Sequence, residues 1–198
     1  MQFVLATHNQ NKVHEFSRML APLGIDISVP DGLPEVEENG TTFEENAFLK
    51  AASACRFTGK PAVADDSGLC VHELNGQPGI HSARYAGEYA TDADRIVKLL
   101  NALRNVPQPD RLAKFVCVIC CVFPNGDIIT SRGECEGSIA FAPQGNDGFG
   151  YDPVFLVGER SFAQMNAEQK DAVSHRGNAL RLFQKDLQAY CAKHLKDI

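Results

Sequence analysis

Two adjacent carboxylates are the residues whose position most clearly suggests chemistry. Asp65-Asp66-Ser67-Gly68 follows the apolar run Ala62-Val63-Ala64 and precedes Leu69-Cys70-Val71. This pattern predicts a strand that breaks at a tight turn, because Asp, Ser and Gly favour turns. Adjacent carboxylates repel each other unless water or a cation neutralises them, and hard oxygen ligands suit Mg²⁺. The stretch therefore fits either a solvated acidic turn or a metal site.

A polar loop near the N-terminus has the arrangement of a phosphate-binding site. Phe3–Ala6 predicts a buried strand, Thr7–Lys12 predicts a loop, and apolar residues then recur at helical spacing from Val13. Backbone N–H groups at a helix start and the helix dipole attract anions, and Lys12 adds a positive charge. The loop matches neither the Walker A motif nor G-x-G-x-x-G. The alternative is a purely structural connection.

Residues 41–52 predict a helix that has one polar edge. A threonine-to-glutamate capping box is available at either Thr41 or Thr42, and the alanine-rich body favours helix. Three polar side chains share one side by their i, i+3 and i+4 spacing: Asn46, Lys50 and Ser53. With Glu38 just before the helix, this edge fits contact with a metal-bound phosphate. The alternative is an ordinary solvated helix face.

A glycine-rich stretch in the last third could receive a flat ligand. In Gly145-Asn146-Asp147-Gly148-Phe149-Gly150-Tyr151-Asp152-Pro153, three glycines surround two aromatic residues. Glycine allows close backbone approach, and Phe149 or Tyr151 could stack on a base. The alternative is a turn whose aromatic rings pack into the core.

The C-terminal region changes from a polar run to an amphipathic helix. Ser174 is a candidate N-cap, which places His175 and Arg176 in the first helical turn. Cations there oppose the helix dipole. The pair fits recognition of a ligand rich in hydrogen-bond acceptors, and the alternative is a solvated surface pair.

The other elements predict a mixed sheet with helices packed on it. Val71–Leu74 continues a strand, Lys114–Phe123 is a central strand, and Asn125-Gly126 turns into Asp127–Glu136. Thr91 caps a helix that ends near Leu103, with Asp94 completing the capping box. Four residues of that helix are expected to face inward: Ile96, Val97, Leu100 and Leu103. The chain shows no linker or internal repeat, so residues 1–198 are interpreted as one α/β domain.

Composition excludes several classes of protein. The chain has 198 residues, 44% hydrophobic residues and a net charge of −6, which argues against broad binding to nucleic acid. No apolar run has the length of a membrane span, and the N-terminus lacks the basic region of a secretion signal, so we expect a cytoplasmic protein. The seven scattered cysteines include one C-x-x-C, Cys117 to Cys120, inside an apolar strand. They are interpreted as buried thiols rather than a metal or redox site.

Six ordered motifs resemble the inosine triphosphate pyrophosphatase family, whose members hydrolyse non-standard purine nucleoside triphosphates. The resemblance covers nearly the whole chain. The motifs are Ala6-Thr7-x-Asn9-x-x-Lys12, Gly40-Thr41-Thr42-Phe43-x-Glu45-Asn46-Ala47-x-x-Lys50-Ala51, Ala64-Asp65-Asp66-Ser67-Gly68-Leu69, Pro78-Gly79-Ile80-x-Ser82-Ala83-Arg84-Tyr85, Gly148-Phe149-Gly150-Tyr151-Asp152-Pro153 and Ser174-His175-Arg176-Gly177. Two departures from the family pattern are His8 and Asn146-Asp147, which could alter how the triphosphate or ribose sits.

The resemblance implies a fold, a cofactor and a set of site residues. The fold would be an elongated, two-lobed α/β structure with a long mixed central sheet, a nucleotide cleft between the lobes, and a homodimeric assembly. Glu38 and Asp66 would bind Mg²⁺, and Asp66 would be the general base, with Asp65 as its rival. The residues implied to bind substrate are Thr7, His8, Asn9, Gln10, Asn11, Lys12, Lys50, Ser67, Phe149, Gly150, Tyr151, Asp152, Lys170, His175 and Arg176.

The implied reaction is Mg²⁺-dependent hydrolysis of ITP, dITP and XTP to the nucleoside monophosphate and pyrophosphate, which cleanses the nucleotide pool. Donors in the base pocket would pair with the 6-carbonyl of hypoxanthine or xanthine and reject the 6-amino group of adenine. A pyrophosphatase for modified pyrimidine nucleotides and a non-catalytic nucleotide sensor are the alternatives. An RNA-binding protein is disfavoured by the acidic net charge.

Overall fold

A computed structural model describes residues 2–194, and seven strands among them form one mixed sheet in the order β2-β1-β3-β4-β5-β6-β7. The strands are β1 (Gln2–Leu5), β2 (Asp26–Ser28), β3 (Ala62–Val71), β4 (Leu112–Val122), β5 (Ile128–Ile139), β6 (Phe155–Val157) and β7 (Arg160–Ser161). The α-helices are α1 (Gln10–Leu20), α2 (Phe43–Thr58), α3 (Asp92–Ala102), α4 (Ala167–Val173) and α5 (His175–His194). The predicted α/β class with a mixed sheet flanked by helices is confirmed.

Parallel pairing at one side of the sheet sets the position of the acidic residues. Strand β1 runs parallel to both β2 and β3, with Leu5 opposite Val63. The Ala6 N–H donates to the Val63 carbonyl at 2.8 Å, which extends this register past the end of β1. The loop that follows β1 therefore starts beside Asp65, which lies two residues beyond Val63 on β3.

The predicted turn at Asp65-Asp66-Ser67-Gly68 is wrong. Strand β3 continues through all four residues, and the two aspartates are only 2% and 6% exposed. Local turn preference gives way because β3 lies between β1 and β4, where sheet pairing holds its backbone extended. The solvated acidic turn is therefore excluded, and the buried carboxylates need cationic or hydrogen-bonding partners.

The chain divides into two compact units, and each has its own core. The first unit contains the residues up to Asp66, Cys117–Gly133 and the chain from Arg176 onward; the second contains Ser67–Val116 and Glu134–His175. Buried residues of the first core include Phe3, Leu5, Phe16, Ile119 and Phe183. Those of the second include Leu69, Leu99, Phe115, Phe155 and Phe162. The elongated shape, the cleft between lobes and the single-domain interpretation stay predictions.

Helix α3 begins as predicted, but one of the residues expected on its buried face is exposed. Thr91 and Asp94 form the expected capping box. Val97 is 57% exposed, so its inward placement is wrong, whereas Leu99 is fully buried. Leu99 follows Ile96 by three residues and precedes Leu103 by four, and this spacing keeps all three on one helix face.

The predicted turn after β4 is present, whereas the predicted strand after residue 71 is not. The turn at Asn125-Gly126 is confirmed, because the Phe123 N–H donates to the Asp127 carbonyl at 2.9 Å. The predicted strand Val71–Leu74 is wrong, since β3 ends at Val71 and a 3₁₀ turn, His72–Leu74, follows.

The cysteines are buried or half-buried thiols, as predicted. All seven cysteines are free and none lies on the open surface: Cys55, Cys117, Cys120, Cys121 and Cys135 are buried, and Cys70 and Cys191 half-buried. Burial raises the pKa of the Cys120 thiol to about 11, which keeps it protonated and unreactive near neutral pH.

Among residues 2–194, none of the helices has the length and apolar character that crossing a bilayer requires.

Candidate active site

Asp65 is the centre of a buried ion-pair cluster in the first unit. One carboxylate oxygen lies 2.8 Å from the Lys12 ammonium, and the other accepts from the Arg176 guanidinium at 2.9 Å. Arg176 also donates to Glu15 at 2.5 Å. The side chains of Asp65 and Arg176 are 1% and 4% exposed, so the two charges lie almost wholly out of water. Such charges are tolerated only when they are paired and hydrogen-bonded, as these are.

The start of α1 brings Lys12 to Asp65. Asn9 caps this helix, and its Oδ1 accepts from the backbone N–H groups of Asn11 at 3.0 Å and Lys12 at 3.3 Å. The Thr7 hydroxyl accepts from the Asn9 N–H at 3.1 Å, which shapes the loop before the cap. His8 is exposed beside them. The predicted loop Thr7–Lys12 is wrong in its second half, because the cap at Asn9 lets α1 begin at Gln10. The shorter loop is ordered by its own side chains, and two N–H groups of the first helical turn already have an acceptor.

Asp66 belongs to a second, adjoining group around Lys50. The Lys50 ammonium lies 2.5 Å from a Glu38 oxygen and 3.6 Å from Oδ1 of Asp66. The other Asp66 oxygen accepts from the side-chain amide of Asn46 at 3.2 Å. Asn46 and Lys50 come from adjacent turns of α2, so the predicted polar edge of that helix faces the acidic residues. For Asn46, which is fully buried, the solvated-face alternative is excluded.

The two adjacent aspartates have opposite electrostatic environments. Burial alone would raise the pKa of Asp65, but the charges of Lys12 and Arg176 outweigh it and hold that pKa well below its usual range. Burial is also the main influence on Asp66, and its pKa is raised because Lys50 offsets burial only in part and Glu38 adds repulsion. Asp65 is thus a fixed anion within an ion-pair network, and Asp66 is the more basic carboxylate.

Asn46 joins the strand carboxylate to the segment that carries Glu38. Its Oδ1 accepts from the Gly40 N–H at 2.9 Å while its amide donates to Asp66. A Cβ at Gly40 would come within 2.6 Å of that same Oδ1, so the approach requires glycine. One buried amide thus ties Gly40, two residues after Glu38, to Asp66.

Asn46→Ala is expected to lower the free energy of unfolding by about 1–3 kcal/mol, because the Gly40 N–H loses its acceptor and Asp66 loses a donor. Urea denaturation of the variant and the wild type measures the difference. Ser53→Ala on the same helix side is the control, with an expected change within about 0.5 kcal/mol. Equal midpoints for Asn46→Ala and wild type would contradict this assignment.

Glu38 and Asp66 fit the requirements of a small hard cation. Within residues 2–194, no set of three or more His, Cys, Asp and Glu side chains is arranged to hold a metal by itself. Mg²⁺ commonly takes only one or two protein carboxylates and completes its shell with phosphate oxygens and water. Both carboxylates converge on the Lys50 ammonium, which shows that this point attracts positive charge.

The glycine-rich loop in the second unit is built around Asp152. One Asp152 oxygen accepts from the Phe149 N–H at 2.9 Å and from the Lys170 ammonium at 2.7 Å. Lys170 also lies 4.8 Å from the centre of the Phe149 ring. A Cβ at Gly148 would come within 2.1 Å of the same carboxylate, so this position requires glycine. Phe149 is half-buried.

Two other residues predicted to bind substrate are buried in the second unit. Tyr151 is 4% exposed, and its hydroxyl donates to the Ser82 carbonyl at 3.0 Å. His175 stacks on Phe115 with ring centres 4.5 Å apart. Of the two aromatic residues in the loop, Phe149 is therefore the better candidate for stacking. The solvated alternative for His175 and Arg176 is wrong, because both are buried.

The structure brings the predicted phosphate and metal residues together but adds one that the sequence analysis missed. Lys12, Lys50, Glu38 and Asp66 converge in the first unit, which also contains the predicted residues 7–11 and Arg176. The other predicted residues belong to the second unit: Ser67, Phe149, Gly150, Tyr151, Asp152, Lys170 and His175. Glu15 was missed, although it follows Lys12 by three residues and thus shares its helix side. Its partner Arg176 is 161 positions away, and no local pattern links the two.

Comparison with known proteins identifies the family. A family model described as the Ham1 family matches residues 3–186. This chain belongs to the Ham1 family. The match includes every predicted site residue, from Thr7 to Arg176, and most of both units.

Relatives and solved structures agree with membership of the Ham1 family. The chain is 49% identical to a protein named dITP/XTP pyrophosphatase from Desulforamulus reducens, over 91% of this chain and 92% of the relative. It is 47% identical to a protein of the same name from Vibrio cholerae, over 94% and 96%. A solved HAM1 protein from Coxiella burnetii superposes with a TM-score of 0.87 at 43% identity, covering 96% of this chain and 99% of that one.

Proposed function

We propose that this protein hydrolyses the non-standard purine nucleoside triphosphates ITP, dITP and XTP to the nucleoside monophosphate and pyrophosphate. The observation that carries the proposal is the cluster in which the buried carboxylates of Asp65 and Asp66, together with Glu38, meet the ammonium groups of Lys12 and Lys50. The cluster lies in a Ham1-family chain whose relatives are named dITP/XTP pyrophosphatase. Its cations suit phosphates, and its carboxylates suit a metal and a proton.

The reaction requires a water molecule to attack the α-phosphorus. A bond forms between the water oxygen and that phosphorus, the bond to the bridging oxygen breaks, and the pyrophosphate leaves with the electron pair. Asp66 takes the water proton, because Asp65 is already paired with both Lys12 and Arg176. Lys12 and Lys50 stabilise the negative charge that develops on the pyrophosphate, and such positioning and electrostatics dominate phosphoryl transfer.

Glu38 and Asp66 would hold Mg²⁺, whose charge neutralises the phosphates and lowers the pKa of bound water. The ammonium of Lys50 lies between these carboxylates, so in the substrate complex it can turn from them toward phosphate. Burial lowers the pKa of Lys50, but Asp66, Asp65 and Glu38 outweigh it and raise that pKa, so the ammonium stays charged at neutral pH.

Selection of the base would rest on donors that face a purine 6-carbonyl. Arg176 already donates to Glu15 and Asp65, which makes it a weaker candidate for this role than its sequence position suggests. Lys170 lies near the Phe149 ring and is another candidate donor, but its ammonium already donates to Asp152, so a base would have to share this donor. Adenine would place a 6-amino donor against such donors, and a mismatch of this kind is strongly rejected.

A substrate panel tests the proposal. We expect kcat/KM for ITP and XTP to exceed that for ATP by about 10⁴-fold. Pyrophosphate release from each nucleotide, with GTP and modified pyrimidine triphosphates included, gives these values. Comparable values for ITP and ATP would overturn the selectivity, preference for pyrimidines would favour the alternative enzyme, and binding of ITP without product would favour a sensor.

The homodimer follows from the family resemblance and the cytoplasmic location from the sequence composition, and both stay predictions. A homodimer is expected, and sedimentation velocity would measure its mass against the 21.6 kDa of one chain. A cytoplasmic location is expected as well, and fractionation of the source cells would test it.

A further inference from the structure

The 3₁₀ segment Gly79–Arg84 has no role in the proposed reaction, yet it is bonded to two parts of the second unit. The Ser82 hydroxyl accepts from the Leu69 N–H on β3 at 2.8 Å and donates to the Gly79 carbonyl at 2.6 Å. The Ser82 carbonyl accepts from the Tyr151 hydroxyl. Ser82, Leu69 and Tyr151 are all buried. One residue therefore links β3, just after Ser67, to the glycine-rich loop.

A second link to the same loop comes from the first turn of α3. The Gly150 N–H donates to an Asp92 carboxylate oxygen at 2.7 Å. Arg95 pairs with the other oxygen of Asp92 and donates to the backbone carbonyls of Ala83 at 2.8 Å and Ala90 at 2.7 Å. Because Ala83 directly follows Ser82, the Arg95 bond to the Ala83 carbonyl also ties this second link to the 3₁₀ segment.

The glycine-rich loop is held partly by its own Asp152, which accepts from the Phe149 N–H, and partly by these two links. Gly148 and Gly150 both have positive φ, +79° and +63°, so the backbone on either side of Phe149 has the wide freedom of glycine. The two links add fixed points on the C-terminal side of Phe149, at the Gly150 N–H and the Tyr151 hydroxyl. Phe149 and Asp152, which would meet the base, lie directly before and directly after these two fixed residues.

We propose that Ser82, Asp92 and Arg95 form a positioning frame that sets the nucleobase selectivity of the glycine-rich loop. This inference rests on the proposed function. None of the three is assigned contact with substrate; they act by holding Gly150 and Tyr151. A loop that is less well held loses complementarity to the preferred base first, so KM for ITP rises and discrimination against ATP falls, while the groups that act at the α-phosphorus are unchanged.

The test compares two aspartates in the same helical turn. Asp92→Ala removes the acceptor of the Gly150 N–H, and we expect KM for ITP to rise about 5- to 10-fold, the loss of one such hydrogen bond, with kcat within about twofold. Asp94→Ala is the matched control: it breaks the α3 capping box but leaves Gly150 bonded. We expect it to lower the melting temperature and leave KM within about twofold. Asp92→Asn keeps an acceptor oxygen and should restore most of the affinity.

Tyr151→Phe provides a second variant that does not depend on α3. It removes only the hydroxyl that donates to Ser82, and we expect a lower ITP-to-ATP ratio of kcat/KM with the fold retained by circular dichroism. Unchanged KM and selectivity in both Asp92→Ala and Tyr151→Phe, or equal effects of Asp92→Ala and Asp94→Ala, would overturn the inference. Wild-type protein that fails to hydrolyse ITP would instead overturn the proposed function.

Discussion

Asp66→Asn is expected to lower kcat for ITP by about 10²–10⁴-fold, the usual contribution of a positioned general base. The variant keeps the shape of the side chain, and its amide oxygen can still accept from Asn46. The amide cannot take a proton, and it is a weaker Mg²⁺ ligand than the carboxylate that would bind the metal together with Glu38. Steady-state pyrophosphate release at saturating ITP and Mg²⁺ measures the loss.

The stability of Asp66→Asn separates a catalytic role from a structural one. The raised pKa of Asp66 means that its charged form is less favourable in the folded state than in the unfolded state. Above the unfolded value of about 3.9, the ionised carboxylate therefore costs stability, and the neutral amide is expected to leave the melting temperature equal or higher. A near-wild-type kcat would end the assignment of Asp66 as base and favour Asp65.

Arg176→Met is expected to cost about 3–5 kcal/mol of the free energy of unfolding, because it leaves the Glu15 and Asp65 carboxylates buried without their shared cation. Urea denaturation at pH 7 measures this cost. Arg132→Met is the control, since Arg132 pairs with Glu44 where both side chains are about 40% exposed. Exposed pairs contribute less than about 1 kcal/mol. Equal costs for the two variants would contradict the role of burial.

The same variant predicts a pH dependence. The depressed pKa of Asp65 gives stability that is fully present above the unfolded value of about 3.9 and is lost as the pH falls toward the folded value. Without Arg176, the pKa of Asp65 in the folded state lies closer to its unfolded value. The Arg176→Met variant therefore loses less stability in acid than the wild type does. The stability difference between wild type and variant is therefore expected to narrow below about pH 4; a constant difference from pH 7 to pH 3 would contradict the ion-pair account.

Local sequence patterns predicted the helices and turns around the site, but they did not predict which site residues are buried or how their charges are paired. The capping box at Thr91, the helix through Asn46 and Lys50, and the turn at Asn125-Gly126 follow from spacing alone, and the structure contains them. The turn at Asp65-Asp66 failed because turn preference is local, whereas the neighbours that keep β3 extended come from distant parts of the chain.

Long-range ion pairs explain what the sequence could not predict. Nothing near Arg176 indicates that its charge is neutralised by Glu15 and Asp65, so a ligand-reading role was the natural interpretation. The same holds for Asp92, whose bond to the Gly150 N–H spans 58 positions. The motifs could name Lys12, Lys50, Glu38 and Asp66, but only the fold could show that Asp65 is held as an anion while Asp66 is the more basic carboxylate.

Product analysis of ITP hydrolysis tests the central claim most directly. Wild-type protein is incubated with ITP in ¹⁸O-labelled water, once with Mg²⁺ and once with EDTA, and all phosphorus-containing products are quantified. We predict equimolar IMP and pyrophosphate with the label in IMP when Mg²⁺ is present, and no hydrolysis with EDTA. Formation of IDP and inorganic phosphate, label in pyrophosphate, or undiminished hydrolysis in EDTA would contradict attack at the α-phosphorus by a metal-dependent site built on Asp66.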